Sequence, residues 1–190
     1  MENQIMTVGF IGNGKSTNRY HAPFIRRLGD KIRIKMIYAR HPEKRDWDRL
    51  EGVIYTDDLQ KLLGDPEIQV IIVTTPMSSH YEYAKKVLQA GKNCVVEKPF
   101  TSTVKEAEEL FALAKEKGLM LQGYQNRRFD SDFLTAKKIA DSGVLGSLFE
   151  VEMHFDYYRP EVPEKVTEYS KDTSFLYSHA CHTLDQVISW

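Results

Sequence analysis

Short apolar runs alternate with longer amphipathic stretches through the first two thirds of the chain. The apolar runs have the length and composition of buried strands, whereas the longer stretches repeat apolar residues at helical spacing. The pattern predicts strands at 5–11, 32–39, 70–74, 93–96 and 120–123, and helices at 20–28, 59–63, 81–90 and 104–117. This alternation is typical of an α/β fold with a mostly parallel, doubly wound sheet, in which ligands bind at the carboxyl ends of the strands.

The rhythm changes after residue 123, where we expect a second domain of α+β type to begin. Its predicted elements are a helix at 133–142, a strand of alternating apolar residues at 147–157, a polar stretch with Pro160 and Pro163, and a helix at 179–190. The last helix has an apolar face that needs a cover, so we expect the second domain to be incomplete in this chain. The predicted organisation is a first domain at 1–123 and the beginning of a second at 124–190.

Composition and charge narrow the classes of partner. Lys and Arg total 26 against 27 Asp and Glu, a net charge of -1, so we expect neither nucleic acid nor acidic lipid as a partner. The first residues form no basic leader and no apolar stretch approaches about 18 residues, so we expect a cytoplasmic protein without a membrane span. Two cysteines are too few for a disulfide framework, and we expect Cys94 and Cys181 to be buried small side chains.

Two phosphate-binding patterns overlap in the first glycine-rich segment. Residues 12–17 read Gly-Asn-Gly-Lys-Ser-Thr, close to the dinucleotide fingerprint in which a strand turns into a helix whose N–H groups face a pyrophosphate. Residues 9–16 match the nucleoside-triphosphate loop completely. The third fingerprint position is Thr17, where Gly or Ala is usual.

The end of the first strand decides between the two patterns. A triphosphate loop would end the strand at Val8 and leave Phe10 and Ile11 in solvent, whereas a strand through Ile11 buries both and puts Gly12 at the sharp turn. The buried run at 70–73 also leads into Thr-Thr-Pro rather than the Asp that a magnesium-nucleotide site needs. We therefore favour the dinucleotide interpretation.

The end of the second strand bears on the choice of cofactor. An acidic residue there would bind the adenosine ribose of NAD, whereas an Arg accommodates the 2′-phosphate of NADP. This strand ends in Arg40, with Lys44 and Arg45 nearby. We expect NADP rather than NAD, although Arg40 could simply face solvent.

Lys98 follows the strand at 93–96, between Glu97 and Pro99. A Lys at the carboxyl end of a buried strand opens into the ligand crevice, where partial desolvation tunes an ammonium to donate a proton or hydrogen bond to a substrate oxygen. Pro99 fixes the chain direction, and Glu97 could hold Lys98 in place. The alternative is an ordinary surface Lys.

Several motifs together resemble the family of glucose-fructose oxidoreductase, inositol dehydrogenase and rhizopine catabolism proteins. They are Val-Gly-Phe-Ile-Gly-Asn-Gly at 8–14, Val-Thr-Thr-Pro at 73–76 with His80, Glu-Lys-Pro at 97–99, the run at 124–129, and the pair His182 and Asp185. The resemblance covers nearly the whole chain. The segments 126–130 and 133–135 are further similar to its scyllo-inositol dehydrogenase-like branch.

This resemblance implies an N-terminal Rossmann domain and hydride transfer between a nicotinamide and a secondary hydroxyl or ketone of a sugar or cyclic polyol. It makes Lys98 and His182 the catalytic candidates, with Lys98 at the reacting hydroxyl and His182 as the base or its support. Candidate cofactor contacts are Gly12, Gly14, Lys15, Ser16, Thr17, Arg40, Thr75, Pro76, His80, Glu97 and Lys98. Candidate substrate contacts are Asn126, Arg127, Tyr157 and Asp185. The resemblance also implies a homo-oligomer formed through the second-domain sheet.

One departure from the family pattern weakens the catalytic prediction. Many members carry an Asp four residues before the His, and this chain has Ser178 there. A Ser cannot stabilise a cation as a carboxylate does, so the proton relay would use Asp185, a water or the substrate. Two alternatives stay open: a nucleotide-binding sensor without turnover, and the triphosphate hydrolase suggested by residues 9–16.

Overall fold

The computed structural model describes residues 5–44, 46–158, 160–161 and 174–190. The chain divides into two compact units, Met1–Tyr124 and Gln125–Trp190. The strands of the first unit are β1 (Met6–Ile11), β2 (Ile32–Tyr38), β3 (Ile54–Thr56), β4 (Val70–Val73), β5 (Asn93–Val96) and β6 (Leu121–Gly123). Its α-helices are α1 (Ala22–Arg27), α2 (Leu59–Leu63), α3 (His80–Gln89) and α4 (Val104–Glu116).

The strands form one parallel sheet in the order β3-β2-β1-β4-β5-β6. The chain therefore builds outward from β1 to β3, returns, and builds from β4 to β6 on the other side. This order is that of the Rossmann doubly wound fold, in which the ligand crevice lies at the carboxyl ends of the strands where the direction of building reverses. The predicted α/β class and the parallel doubly wound sheet are confirmed.

Apolar side chains cover both faces of the sheet. Successive residues of β1 alternate between two core clusters, with Phe10 in one and Ile11 in the other. The Phe10 cluster packs against Ile25 of α1, whereas the Ile11 cluster includes Leu62 of α2 and Leu88 of α3. Burial on both faces explains why these strands read as continuous apolar runs rather than as alternating ones.

The first strand ends where the dinucleotide interpretation requires. β1 extends through Ile11, both Phe10 and Ile11 are 0% exposed, and Gly9 pairs with β4 inside the sheet. A triphosphate loop would need Gly9 through Gly14 outside the sheet. The triphosphate interpretation is therefore wrong.

The helix after the glycine turn begins earlier than the sequence pattern predicted. A π-helical turn spans Ser16–His21 and passes into α1 at Ala22. Pro23 has no N–H to donate to the Arg19 carbonyl, so a regular α-helix cannot run unbroken through this segment. The Ala22 N–H instead bonds to the carbonyl of Thr17, five residues earlier.

The other elements of the first unit follow the sequence pattern closely. The observed bounds of α2 and β5 equal the predicted ones, and α4 begins in a capping box of Thr103 and Glu106. Gly91 and Gly118 follow the ends of α3 and α4, and both have the positive φ that is common just after a helix. The pattern missed β3, a three-residue edge strand too short to show a period.

The described part of the second unit is helical. It contains a 3₁₀ turn at Asn126–Phe129 followed by the helices α5 (Ser131–Asp141), α6 (Phe175–Ser178) and α7 (Ala180–Ile188). The helix predicted at 179–190 is shorter than expected: it begins after His179, whose φ of -126° and ψ of -44° interrupt it before α7, and it ends at Ile188. Pro163 lies outside the described residues.

The strand predicted at 147–157 is wrong, because the described residues of this segment join no sheet. Alternating apolar residues form a strand only when a neighbouring strand satisfies their backbone groups. The described residues of the second unit offer no such neighbour, and Phe149 is accordingly 96% exposed.

The two cysteines differ in environment. Cys94 is buried as expected, and its burial raises the pKa of the thiol far above the ordinary value. The same expectation is wrong for Cys181, which is only partly buried on α7. Among the described residues, no helix is long and apolar enough to cross a membrane.

Removing the Phe10 side chain should destabilise the protein strongly, because the ring is fully buried in the core. We expect Phe10→Ala to lower the free energy of unfolding by about 3–5 kcal/mol. Phe24→Ala, which removes the same side chain at a position 57% exposed, should lower it by about 0.5 kcal/mol or less. Urea unfolding measures both. Equal losses would contradict a strand that carries Phe10 into the core.

Candidate active site

The chain leaves β1 through a backbone turn that only glycine accommodates. Gly12 has φ +115°, and a Cβ at this position would lie 2.7 Å from Thr74 Oγ1 and 3.1 Å from the Thr74 carbonyl carbon. An L side chain would therefore be strained by the dihedral angle and would also collide with the end of β4. The first Gly of the fingerprint is required by both constraints.

Hydrogen bonds from two threonine hydroxyls stabilise this turn. Thr17 is 0% exposed, and its hydroxyl donates to the Gly12 carbonyl at 2.7 Å. The same oxygen lies 2.7 Å from the Thr74 hydroxyl, from which it can accept. Thr17 therefore stands where the fingerprint usually has Gly or Ala. Its buried hydroxyl is hydrogen-bonded, so no polar atom of the side chain is left without a partner.

The loop after Gly12 fits an anionic group. Gly14 is exposed, and a Cβ there would meet no protein atom within 4 Å. Lys15 is exposed beside it, and Ser16 opens the π-helical turn. The first N–H groups of a helix have no partners within the helix. The accessible backbone of Gly14, the positive charge of Lys15 and the N–H donors at the start of the helical turn therefore occur together here. These features suit a pyrophosphate.

Arg40 follows the carboxyl end of β2 and is exposed. Because β1 and β2 are parallel neighbours, Arg40 and Gly12 lie at the same edge of the sheet. Lys44, four residues further along the chain, is also exposed, and Arg45 lies outside the described residues. Arg40 is therefore accessible to a phosphate at the end of β2.

His80 joins two loops at this same edge. It is 1% exposed, its Nδ1 lies 2.8 Å from the Pro99 carbonyl oxygen, and its Nε2 lies 2.7 Å from the Thr75 carbonyl oxygen. Pro76 separates Thr75 from the short helical turn that leads into α3. With both ring nitrogens on backbone carbonyls, His80 holds the loops after β4 and β5 rather than pointing into the crevice.

Glu97 and Lys98 follow β5. Glu97 is 6% exposed, and one carboxylate oxygen accepts the Lys98 backbone N–H at 3.0 Å. The other carboxylate oxygen lies 2.9 Å from Nε2 of His21. Lys98 itself is partly exposed at the carboxyl end of β5.

Two aromatic rings enclose His21. The His21 ring lies edge-on to Phe10, with centroids 5.7 Å apart, and against Tyr124 at 4.1 Å. Burial, with a smaller effect of the Glu97 charge, raises the pKa of the Tyr124 hydroxyl. No motif includes His21, although it lies four residues after Thr17 and so on the same helical face.

The candidate substrate residues of the second unit differ in accessibility. Asn126 is exposed and Tyr157 is 47% exposed, so both can reach a ligand. The Arg127 guanidinium lies over the Phe155 ring at 5.2 Å and bonds to Asp130 at 2.8 Å. These contacts fix the direction of the Arg127 side chain.

Asp185 is held by a partner that the sequence analysis did not assign to the site. Arg128 donates to both of its carboxylate oxygens, at 2.9 and 2.5 Å. Hydrogen bonding to Asp185 also raises the pKa of Arg128. A bidentate pair of this kind leaves Asp185 poorly suited to carry protons, and a role in positioning fits it better.

His182 is 5% exposed on α7. The Ser178 hydroxyl, at the position of the expected carboxylate, lies 2.8 Å from the Ser174 carbonyl oxygen and 2.8 Å from Nδ1 of the adjacent His179. These contacts occupy Ser178 within its own turn. Among the described residues, no group of His, Cys, Asp and Glu side chains is placed to hold a metal ion.

The comparisons with known proteins agree with this geometry. Residues 6–125 match the GFO_IDH_MocA model of an oxidoreductase family with an NAD-binding Rossmann fold. Residues 133–190 match the GFO/IDH/MocA C-terminal domain.

Individual relatives cover almost all of the chain. The uncharacterized oxidoreductase YhhX of Escherichia coli is 50% identical over 186 residues, which are 97% of this chain and 53% of YhhX. The scyllo-inositol 2-dehydrogenase (NADP(+)) IolW of Bacillus subtilis is 39% identical over 183 residues, 95% of this chain and 50% of IolW. A crystal structure of an oxidoreductase named YhhX superimposes with a TM-score of 0.90 at 48% identity, over 97% of this chain and 54% of that one. The chain spans about half the length of these relatives.

The two fingerprint glycines should respond differently to an added methyl group. Gly12→Ala should lower the free energy of unfolding by roughly 1–2 kcal/mol or more, because a residue with a Cβ would have to adopt the positive φ of this position. Gly14→Ala should leave stability nearly unchanged, since the methyl group meets no protein atom. Both should weaken the binding of a nicotinamide dinucleotide by about tenfold or more, because Gly12→Ala disturbs the turn that carries the loop and the Gly14 methyl group would lie where we expect the pyrophosphate.

Thermal unfolding and fluorescence titration with NADPH separate the two effects. Undiminished NADPH affinity in Gly14→Ala would place the pyrophosphate elsewhere.

Proposed function

Because the chain belongs to the GFO/IDH/MocA family of oxidoreductases, we propose that it transfers a hydride between a nicotinamide cofactor and a secondary hydroxyl or ketone of a sugar or cyclic polyol. The observation that carries this proposal is the turn at Gly12, at the same sheet edge as Glu97 and Lys98. The name of IolW, a scyllo-inositol 2-dehydrogenase, supports a cyclic polyol as the substrate class.

In this proposal the glycine loop binds the pyrophosphate of the cofactor. Backbone N–H groups of residues 14–17 donate to it, and the exposed Lys15 adds a positive charge. Thr75, Pro76 and Glu97 form the wall at the nicotinamide end, and His80 fixes that wall through two backbone carbonyls. A bound nicotinamide would supply the hydride acceptor or donor.

The chain's own residues position the substrate and manage its proton. In the oxidation direction the Lys98 ammonium stabilises the alkoxide that develops on the reacting carbon, and His182 takes the hydroxyl proton. Asn126, Arg127 and Tyr157 hold neighbouring hydroxyls, which a polyol presents in number. We propose that Asp185 acts through its pair with Arg128, by keeping this substrate-side segment in place.

We propose NADP as the preferred cofactor, with NAD as the alternative. Arg40 is exposed at the end of β2, where an acidic residue would favour NAD, and IolW is named as an NADP(+) enzyme. Assembly into a homo-oligomer, a cytoplasmic location and the absence of nucleic-acid or membrane partners also stay predictions.

A nucleotide-binding sensor without turnover is the second candidate. One observation favours it: Ser178 stands where many family members have a carboxylate, and its hydroxyl is engaged with Ser174 and His179. NADPH binding without turnover on any polyol or sugar would support the sensor.

Replacing Lys98 should abolish turnover without abolishing cofactor binding. We expect Lys98→Met to lower kcat by about 10²–10⁴-fold, the contribution of one positioned proton donor. The dissociation constant for NADPH should change by about twofold at most, because in this proposal the Lys98 ammonium acts on the substrate oxygen in the transition state. Lys105→Met, at an exposed helix position, is the matched control. Full turnover in Lys98→Met would remove Lys98 from the mechanism.

Arg40 should distinguish the two nicotinamide cofactors. A guanidinium bonded to a phosphate contributes roughly 1.5–3 kcal/mol, so Arg40→Ala should raise the dissociation constant of NADPH by about tenfold or more. The value for NADH should stay within about twofold, since NADH lacks the 2′-phosphate. Arg27→Ala, at the end of α1, is the control. Equal losses for NADPH and NADH would contradict the assignment.

A further inference from the structure

A buried ionisable pair lies directly behind Lys98. The side chains of His21 and Glu97 are 4% and 8% exposed, and Nε2 of His21 lies 2.9 Å from one carboxylate oxygen of Glu97. The pair joins the end of the π-helical turn to the end of β5, two elements that are 76 positions apart in sequence. It is a buried polar contact at the carboxyl edge of the sheet.

Stability alone does not explain this pair. Removing a carboxylate and an imidazole from water carries a large desolvation penalty, which their mutual attraction offsets only in part. Apolar residues of similar volume at the same two positions are often as stable or more stable. A pair of this kind is therefore a candidate for a role in the site next to it.

The Glu97 carboxylate connects His21 to Lys98. Its Oε1 bonds to His21, while its Oε2 accepts the Lys98 backbone N–H at 3.0 Å. The Glu97 backbone N–H is bonded in turn to the Val73 carbonyl at 2.9 Å. Loss of the His21 bond would leave the Glu97 side chain free to rotate, and the Lys98 backbone would lose its fixed acceptor.

The environment of His21 restricts the imidazole to one orientation. Phe10 contacts its edge and Tyr124 covers its face, and the Tyr124 hydroxyl donates to the Tyr20 carbonyl at 3.4 Å. His21 is thereby directed at Glu97 by packing on two sides.

We propose that His21 is a positioning residue for the reaction: by holding the Glu97 carboxylate, it keeps Lys98 in the orientation in which its ammonium meets the substrate oxygen. The inference rests on the proposed function, in which Lys98 acts on that oxygen. His21 itself contacts neither substrate nor cofactor in this role.

Variants of His21 in the full chain test the proposal. His21→Leu keeps much of the volume but has no donor, and it should lower kcat by about 10–100-fold, as loss of a group that orients a site residue does. His21→Gln places an amide N–H near the position of Nε2 and should recover most of the activity. His21→Asn, whose amide is too short to reach Glu97, should not. His154→Leu, at a side chain 67% exposed, is the matched control.

A double-mutant cycle separates positioning from a merely structural role. If His21 acts through Lys98, His21→Leu should lower turnover in the wild-type background and add little in the Lys98→Met background. If it only stabilises the fold, the two losses should multiply. Should His21→Leu fail to fold, the comparison of His21→Gln with His21→Asn makes the same test.

A readout that needs no turnover distinguishes failure of this inference from failure of the proposed function. Lysine side chains methylated with ¹³C each give an NMR signal. The signal of Lys98 is identified as the one that is absent from the spectrum of Lys98→Met. That signal should move in His21→Leu, return in His21→Gln and stay in place in His154→Leu.

An unmoved Lys98 signal, or multiplying losses in the cycle, would overturn the positioning role. A wild-type protein that turns over no polyol or sugar but shows the expected NMR shifts would overturn the proposed function, while still showing that His21 sets the orientation of Lys98.

Discussion

The structure depends on a backbone turn at the end of β1, a strand that is buried from Thr7 to Ile11. β1 is covered on both faces, so the chain can leave it only at the carboxyl edge, and there the Thr74 backbone lies close to the position that a Cβ of residue 12 would take. Gly12 with φ +115° is the solution. The turn directs the following N–H groups outward, and because all strands are parallel it does so at the edge where the loops after β2, β4 and β5 also end. The parallel sheet therefore brings the candidate cofactor residues of the first unit and Lys98 to one edge.

Buried polar side chains at this edge hold the loops in position. Thr17 and Thr74 fasten the glycine turn, His80 joins the loops after β4 and β5, and His21 with Glu97 supports Lys98. Each would be costly to bury alone, but each is bonded to another side chain or to a backbone carbonyl. The first unit thus combines an apolar interior with a polar, hydrogen-bonded rim, and rigidity of this kind suits a site whose chemistry depends on position.

How far the sequence predicts this structure varies from element to element. The bounds of α2 and β5 and the strand end at Ile11 follow from apolar periodicity, because burial of these residues is decided locally. The strand predicted at 147–157 does not form, because alternating apolar residues only favour a strand. A strand also needs a neighbouring strand to which its backbone can bond. The resemblance identified Lys98 and Glu97, but no pattern along the chain indicated His21, since its burial depends on a contact 76 positions away. Arg128 was missed for the same reason, because its partner Asp185 is distant in sequence.

The most direct test of whether one sheet edge both binds the cofactor and carries the reaction is whether NADPH protects Lys98 from chemical acylation. The rate at which each lysine of the full chain is acylated can be followed by mass spectrometry, with and without saturating NADPH. We expect NADPH to slow acylation of Lys15 and Lys98 several-fold and to leave Lys105 unaffected, because the first two lie at the edge that binds the pyrophosphate and nicotinamide. Slowed acylation of Lys15 with no change at Lys98 would mean that the cofactor does not extend to Lys98, which would contradict the proposed site.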